Sequence, residues 1–185
     1  MRLFHATDQS CVDSILNRGF TAKKNRYHWL GNGIYFYKDY QLAKWWATNP
    51  TKKFGVDITS PAILSVDVNF DQHAVLDLSC LSGYTECINE YNEFSSYVVP
   101  ALEESVWYDR SALRCSFFDW IFKTCDVSCI IGNFTHRNQK YLMEFSQEAI
   151  NQLRLFHLPF TETQVCIREG IIQKDGIMVL EVEGC

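Results

Sequence analysis

Two short segments near the start of the sequence carry residue types suited to binding a polar ligand. His5-Ala6-Thr7 offers an imidazole, which can donate and accept hydrogen bonds, beside a small residue. Gly31-Asn32-Gly33 precedes Ile34-Tyr35-Phe36, and its two glycines permit backbone conformations and close approaches that side chains would block. Taken singly, the first segment is more typical of a structural histidine and the second of a tight turn.

A second pair of candidates follows at helical spacing. Ala43 and Trp46 stand 8 and 11 residues beyond Tyr35, and residues three apart share one face of a helix. A small residue beside a flat ring can accommodate a planar ligand by stacking. An aromatic stripe of this kind is, by itself, more typical of a buried core.

Near the end of the chain, Glu162 and Gln164 open a segment of β-type residues. The period of two along a strand puts both side chains on one face. A solvated strand end is the plainer interpretation of these two residues alone.

Order and spacing together resemble the ADP-ribosyltransferase superfamily, in the branch with the His-Tyr-Glu signature shared by diphtheria toxin and the poly(ADP-ribose) polymerases. His5-Ala6-Thr7 matches the His, small residue and Thr of that branch's first strand, and residues 31–36 match its Gly-x-Gly-Ile-Tyr-Phe segment. Trp46 matches an aromatic ring 11 residues after the Tyr, and Gln164 stands in place of the catalytic Glu. Residues 29–36 are also similar to small bacterial and phage members. The motifs reach both ends of the chain, so the resemblance implies one catalytic domain over residues 1–185.

The resemblance implies NAD as co-substrate and no metal. The nicotinamide ring would lie between Tyr35 and Trp46, the backbone of Ala6 would bind the carboxamide, and His5 would bond the adenosine ribose. The expected cofactor-binding set also contains Thr7, Gly33 and Ala43.

Departures from the family pattern decide what activity to expect. The implied reaction breaks the bond from nicotinamide to ribose through an oxocarbenium-like transition state, which a carboxylate stabilises. Gln164 can accept a hydrogen bond but carries no charge and cannot act as a base. Three alternatives stay open: a slower enzyme that transfers a single ADP-ribose, a carboxylate supplied by Glu162, or a domain that binds NAD without turning it over. The candidate catalytic residues are His5, Tyr35, Glu162 and Gln164.

The other departures are milder. Ala6 replaces the usual Gly, Ala43 replaces a Ser that bonds the carboxamide, and Trp46 replaces a Tyr while keeping a stacking ring. Arg26 or His28 is a candidate for facing the pyrophosphate, on charge and sequence proximity alone.

The expected function is therefore NAD-dependent mono-ADP-ribosyl transfer to a protein or nucleic acid, of toxin or effector type. The alternative is a non-catalytic module that binds NAD or ADP-ribose. The acceptor is left open, as is an antitoxin or inhibitor that covers the cleft. A Cys–His hydrolase and an NAD-dependent RNA 2′-phosphotransferase rank lower, the latter because Phe4-His5-Ala6 lacks its extra basic residues.

Composition is that of one globular domain. The chain has 185 residues, of which 47% are hydrophobic and 21% charged. Its net charge of −5 argues against coating nucleic acid or anionic membranes, although Lys23, Lys24 and Arg26, or Arg137 and Lys140, could form a local basic patch.

No apolar run reaches the ~18 residues of a membrane span, and the N-terminal residues lack a signal-like apolar stretch. We expect no membrane partner and a cytoplasmic location, with secretion or injection as an effector left open.

The hydrophobic patterns predict alternating strands and helices. Strands are expected at 2–6, 62–68, 75–78, 129–132, 164–168 and 177–182, with a short aromatic strand after Gly33. A first helix is expected to begin at Thr7 or Asp8 and to run to Arg18, before Gly19, and a second to run from Asp39 to Asn49-Pro50. Further helices are expected at 117–122, at 141–155 and in parts of 81–114. Loops are expected at 21–29 and 133–140. This order predicts an α+β fold. The resemblance refines it to an ADP-ribosyltransferase-like split β-sheet core with flanking helices.

The eight cysteines are expected to be mostly buried free thiols. Their spacing does not suggest zinc, and a disulfide framework would require export.

Overall fold

A computed structural model of the chain describes residues 1–49, 58–134, 146–155 and 161–180. Seven strands form one mixed sheet in the order β4-β5-β6-β2-β1-β3-β7. Their bounds are β1 Arg2–Asp8, β2 Ile34–Tyr37, β3 Pro61–Asp67, β4 Val75–Asp77, β5 Cys129–Phe134, β6 Glu162–Ile167 and β7 Ile177–Leu180. Neighbouring strands are antiparallel except for the parallel pair β4 and β5.

Six α-helices accompany the sheet within the described ranges: α1 Gln9–Arg18, α2 Tyr40–Thr48, α3 Leu81–Tyr97, α4 Glu104–Trp107, α5 Arg110–Thr124 and α6 Gln147–Leu155. Short 3₁₀ turns span Gln72–Ala74, Val99–Ala101 and Lys174–Gly176. The predicted α+β class is confirmed. Within the same ranges, no helix has both the length and the hydropathy needed to cross a bilayer.

The first helix begins and ends where the sequence predicts. Asp8 is the N-cap of α1, and its carboxylate accepts hydrogen bonds from the Ser10 backbone at 2.9 Å and the Ser10 hydroxyl at 2.6 Å. Gly19 ends the helix with a φ of +82°, a left-handed value that favours glycine. Asp39 caps α2 in the same way, accepting from the backbone of Gln41 at 2.8 Å.

Each face of the sheet carries its own helices and core. On one face, α1 packs against the strands through a cluster that includes Leu3, Phe36, Leu64 and Val165. On the other face, α3 and α5 cover one half and α2 covers the other half. Tyr35 belongs to the α3/α5 half and Tyr37 to the α2 half. Because these tyrosines are two residues apart on β2, both point to this second face.

The prediction of helix in parts of 81–114 is confirmed, since this region holds the 17-residue α3, the short α4 and the start of α5. Other predictions are wrong in extent. The helix predicted at 117–122 is the C-terminal part of the 15-residue α5. The first strand extends to Asp8, and the last long strand begins at Glu162 rather than Gln164. Asn133 and Phe134, expected in a loop, belong to β5. The expectations for Pro50, 135–145 and 181–182 fall outside the described residues.

The cysteines of the described residues differ in burial. All seven in the described part of the chain are free thiols. Cys115, Cys129 and Cys166 are buried as expected, whereas Cys80 is exposed. Cys185 lies outside the described residues.

Candidate active site

His5 connects β1 to β2 through its side chain. Its Nδ1 lies 2.8 Å from the backbone carbonyl oxygen of Tyr35. A carbonyl accepts only, so Nδ1 carries the proton and Nε2 is left as an acceptor. The ring packs edge-on against Phe20 at 5.0 Å and contacts Phe36 at 5.5 Å. Burial lowers the pKa of His5, and the charge of Lys23 adds to this effect although the bond to Tyr35 opposes it. The imidazole is therefore neutral near pH 7.

The two strands that His5 joins diverge beside it. In the described part of the chain, the ladder between β1 and β2 consists of the pair Phe4 and Tyr37. By contrast, β1 pairs with β3 over its whole length, from Arg2 opposite Asp67 to Asp8 opposite Pro61. The sheet therefore opens between β1 and β2 immediately after Phe4, next to the candidate residues His5 and Ala6.

Tyr35 is held by the glycine segment that precedes it. Its phenol oxygen accepts from the backbone N–H of Leu30 at 2.8 Å and donates to the carbonyl of Gly31 at 2.8 Å. Its ring contacts His28 with centroids 5.1 Å apart. Burial raises the pKa of the phenol well above its ordinary value of 10. Tyr35 is thus a fixed, neutral ring rather than an acid or base.

The glycines of this segment are needed for packing. Gly31 has a φ of +83°, and a Cβ there would lie 2.9 Å from an Asp119 carboxylate oxygen. A Cβ on Gly33 would lie 2.5 Å from the Cys166 Sγ. Between them, Asn32 donates its backbone N–H and its Nδ2 to the Asp119 carboxylate at 2.5 and 2.7 Å. The segment is therefore pressed against α5 and β6.

Trp46 faces the ring of Tyr37, which the sequence motifs do not include. It lies parallel to Tyr37, with centroids 6.3 Å apart and planes 15° apart. Ala43 and Ala6 belong to the same cluster. The Nε1 of Trp46 is buried and has no hydrogen-bond partner among the described residues. Tyr37 follows Tyr35 by two residues, and this period-two spacing was the signal that could have identified it.

Gln164 and Glu162 form a hydrogen-bonded pair on β6. Gln164 lies opposite Tyr37 on one neighbouring strand and Gly132 on the other. Its Nε2 donates to Oε1 of Glu162 at 2.5 Å. Glu162 has no accessible surface, whereas Gln164 is half-buried. The pair therefore occupies the second face of the sheet, where the α2 half meets the α3/α5 half.

The candidate residues divide between the two faces. Ala6, Tyr35, Trp46 and Gln164 lie on the second face, with Ala43 and Glu162. The His5 ring lies on the first face, among Phe20 and Phe36, and reaches the others through the Tyr35 backbone. Thr7 is buried two residues further along β1. Tyr35 and Trp46 belong to different clusters, and the ring stacked on Trp46 is that of Tyr37.

In the basic loop before the glycine segment, Arg26 and His28 form side-chain contacts. Arg26 forms an exposed ion pair with Asp109 at 2.8 Å. His28 Nδ1 lies 3.2 Å from the Asn32 Oδ1, and burial lowers the His28 pKa despite the opposing effects of Asn32 and Asp119. Lys23 and Lys24 are exposed.

The buried thiols are poor candidates for a nucleophile. Burial raises the pKa of Cys115 to about 11 and of Cys129 to about 12, and it also raises the pKa of Cys166. A thiolate is the reactive form, so these environments suppress reactivity. Among the described residues, no three His, Cys, Asp or Glu side chains are grouped to hold a metal ion.

Comparison with known proteins finds a relative that matches part of this chain. No protein-family model matches the chain. Over 80 residues the chain is 29% identical to an uncharacterized protein of Methanocaldococcus jannaschii. The aligned segment covers 43% of this chain and 37% of that relative, so the chain matches well under half of the relative's length.

Proposed function

We propose that this protein is an NAD-dependent mono-ADP-ribosyltransferase whose active site lies where β1, β2 and β6 meet. The observation that carries the proposal is the convergence of three segments that are far apart in sequence. His5 contacts the backbone of Tyr35 at 2.8 Å, and Gln164 lies opposite Tyr37, two residues further along the same strand. These are the segments on which the resemblance to the His-Tyr-Glu branch rests.

The opening of the sheet supports the finer fold assignment. We propose that the sheet is of the split ADP-ribosyltransferase type, divided between β1 and β2. Support comes from the single ladder pair, Phe4 with Tyr37, that joins these strands among the described residues. A sheet that opens beside Ala6 exposes strand backbone, which can bind a carboxamide through paired hydrogen bonds.

The fit of NAD can be judged from one buried polar atom. Nε1 of Trp46 is a donor without a partner in the described structure. Buried donors are normally satisfied, so a ligand that offers an acceptor there would complete the hydrogen bonding of Nε1. A planar amide-bearing ligand offers both an acceptor for Nε1 and a face for the aromatic rings. We therefore assign Trp46 and Tyr37 to the nicotinamide end of the site, with Tyr35 and Ala6 beside them.

Glu162 supplies the charge that Gln164 lacks. It is a carboxylate on the same face as Gln164, joined to it by a hydrogen bond of 2.5 Å. Since the Gln164 nitrogen is occupied by Glu162, its carbonyl oxygen is free to accept from a ribose hydroxyl. In this arrangement Gln164 contacts and orients the ribose. Glu162, buried behind Gln164, stabilises the developing positive charge at a distance, through the Gln164 amide.

The chemistry that NAD supplies is cleavage of the bond between the nicotinamide nitrogen and C1′ of ribose. Nicotinamide leaves as a neutral molecule, and a nucleophile on the acceptor forms a new bond to C1′ while losing a proton. We propose a protein or nucleic acid as the acceptor.

A second candidate is a module that binds NAD without cleaving it. The observation in its favour is that Glu162 has no accessible surface, so its carboxylate is shielded from contact with a ribose. A buried charge that touches no substrate would act structurally.

Incubation of the purified chain with NAD labelled on its adenylate tests both functions. Transfer of the label to a macromolecule in a cell lysate, with release of nicotinamide, supports the transferase. Calorimetric binding of NAD without release of nicotinamide supports the binding module. Absence of both binding and release would overturn the two together.

A further inference from the structure

One side of α3 exposes a row of large apolar side chains. Leu81, Tyr84, Ile88 and Tyr91 are 82%, 52%, 60% and 42% exposed. Their spacing of three, four and three residues places them on one stripe of the helix. We call these four residues the α3 stripe. Contiguous exposed apolar surface of this kind commonly marks a contact with another molecule.

The stripe is separate from the side of α3 that packs on the sheet. The buried residues of the helix are Gly83 and Phe94. Gly83 lies so close to β4 that a Cβ would overlap the carbonyl oxygen of Asp77 at 1.8 Å. At 3.6 residues per turn, the stripe lies about 80–160° around the helix from Gly83. The helix is therefore anchored by one side and presents Leu81, Tyr84 and Ile88 to solvent. Tyr91 lies at the border of the stripe, where its ring also packs edge-on against Phe117 of α5 at 5.3 Å.

Charge restricts the kind of partner. The acidic residues Glu86 and Glu93 lie about 160° and 140° around the helix from Ile88, away from the stripe. Thr85 and Asn92, which border it on its exposed side, are uncharged. A basic partner would find no counter-charge along the stripe, whereas an uncharged apolar surface would meet no repulsion.

We propose that the α3 stripe is the contact between two copies of this chain, packed as antiparallel α3 helices. A twofold axis that crosses the stripe at the level of residue 86 along the helix would bring Leu81 against Tyr91 of the second copy. It would also bring Tyr84 against Ile88 of the second copy. Every contact then joins an aliphatic side chain to an aromatic ring, and the contact is self-complementary as a twofold interface requires. Glu86 and Glu93 then lie away from the contact on both helices, and Glu90 accepts from the Cys125 thiol of its own chain at 3.2 Å.

The available area suits a weak dimer. Aromatic side chains bury roughly 150–250 Å² each, and leucine and isoleucine lie near the lower end of that range. If the second copy covers all of the exposed surface of the four side chains, the stripe contributes about 500 Å² per copy, or about 1,000 Å² in total, the lower limit for a specific interface. The dimer is thus expected to dissociate on dilution.

Sedimentation velocity of the full chain across micromolar to submillimolar concentrations tests the proposal. The expected result is a reversible shift from monomer to dimer with rising concentration. Ile88→Glu should abolish the shift, and the control Glu86→Lys, on the opposite side of the same helix, should retain it. Circular dichroism should show both variants folded, because both residues are exposed.

A paired exchange tests the antiparallel register. In the Tyr84→Lys/Ile88→Glu double variant, each lysine faces a glutamate of the second copy, so dimerisation should return at low salt. A wild-type chain that is monomeric throughout, or a dimer unaffected by Ile88→Glu, would overturn the proposal. Failure of the double variant to recover would overturn the antiparallel pairing.

Discussion

The side chains of Gln164 and Glu162, two residues apart on β6, are joined by a hydrogen bond from Nε2 to Oε1 of 2.5 Å. A carboxamide thus stands in the half-buried position, with a fully buried carboxylate directly behind it. The pair faces the same side of the sheet as Tyr37 and Trp46. In the proposed reaction, Gln164 contacts the ribose and the Glu162 carboxylate behind it supplies the negative charge.

Exchanging the two groups separates the role of the charge from that of the bond. Glu162→Gln removes the charge and should lower the rate of nicotinamide release by ~10²–10³-fold, the usual loss for a preorganised electrostatic group. Glu162→Gln/Gln164→Glu keeps one carboxylate and one amide and should retain or raise activity. Steady-state release of nicotinamide is the measurement. Equal rates for wild type and Glu162→Gln would assign the carboxylate a structural role.

The bond from His5 to Tyr35 should contribute measurably to stability. His5→Leu keeps apolar bulk against Phe20 and Phe36 but removes the donor, at a cost of about 1 kcal/mol. His5→Asn places an amide N–H near the position of Nδ1 and should cost less. Urea denaturation gives both free energies of unfolding. If Asn is no better than Leu, the hydrogen bond does not stabilise the fold.

The two partly buried imidazoles of His5 and His28 predict a stability that falls in mild acid. Burial lowers the pKa of His5 and of His28 below 6.5, so the unfolded chain takes up protons first as the pH drops below 6.5. Because the unfolded state then binds more protons, the free energy of unfolding decreases from pH 6.5 downward, until the folded histidines also become protonated. Urea midpoints measured between pH 7.5 and 5.5 should therefore fall less in His5→Asn than in wild type. Parallel curves would show that His5 does not titrate abnormally.

Gly33 should tolerate no side chain. In Gly33→Ala the new Cβ would lie 2.5 Å from the Cys166 Sγ and 2.7 Å from the Ile167 carbonyl oxygen. We expect a loss of about 1–3 kcal/mol from overpacking. Gly176→Ala is the matched control, since a Cβ there meets nothing within 4 Å. Similar thermal midpoints for the two variants would contradict the close contact between β2 and β6.

Local signals in the sequence were enough to predict the ends of several elements. Asp8 and Gly19 bound α1, and Asp39 begins α2, because capping depends on residues within one turn. The length of α5 was missed because its buried residues are not confined to one narrow stripe. At 100° per residue they extend over about 220° of the helix, from Phe117 to Ala112. Such a helix lacks the periodic pattern that identifies a surface helix.

Local spacing in the sequence also predicted part of the candidate site. It correctly indicated that Ala43 and Trp46 lie on one helix, and both residues belong to the same hydrophobic cluster. It could not indicate that Trp46 lies against Tyr37, or that the His5 ring leaves the sheet on the opposite face. These facts depend on strand register, which is set by pairing between distant segments.

Quantifying free nicotinamide after incubation of the purified chain with NAD and a cell lysate, which supplies the acceptor, tests the central claim most directly. Nicotinamide should accumulate with time above the level in lysate alone, and this excess should be lost in Glu162→Gln. No excess nicotinamide after prolonged incubation with correctly folded protein would contradict the proposed transfer.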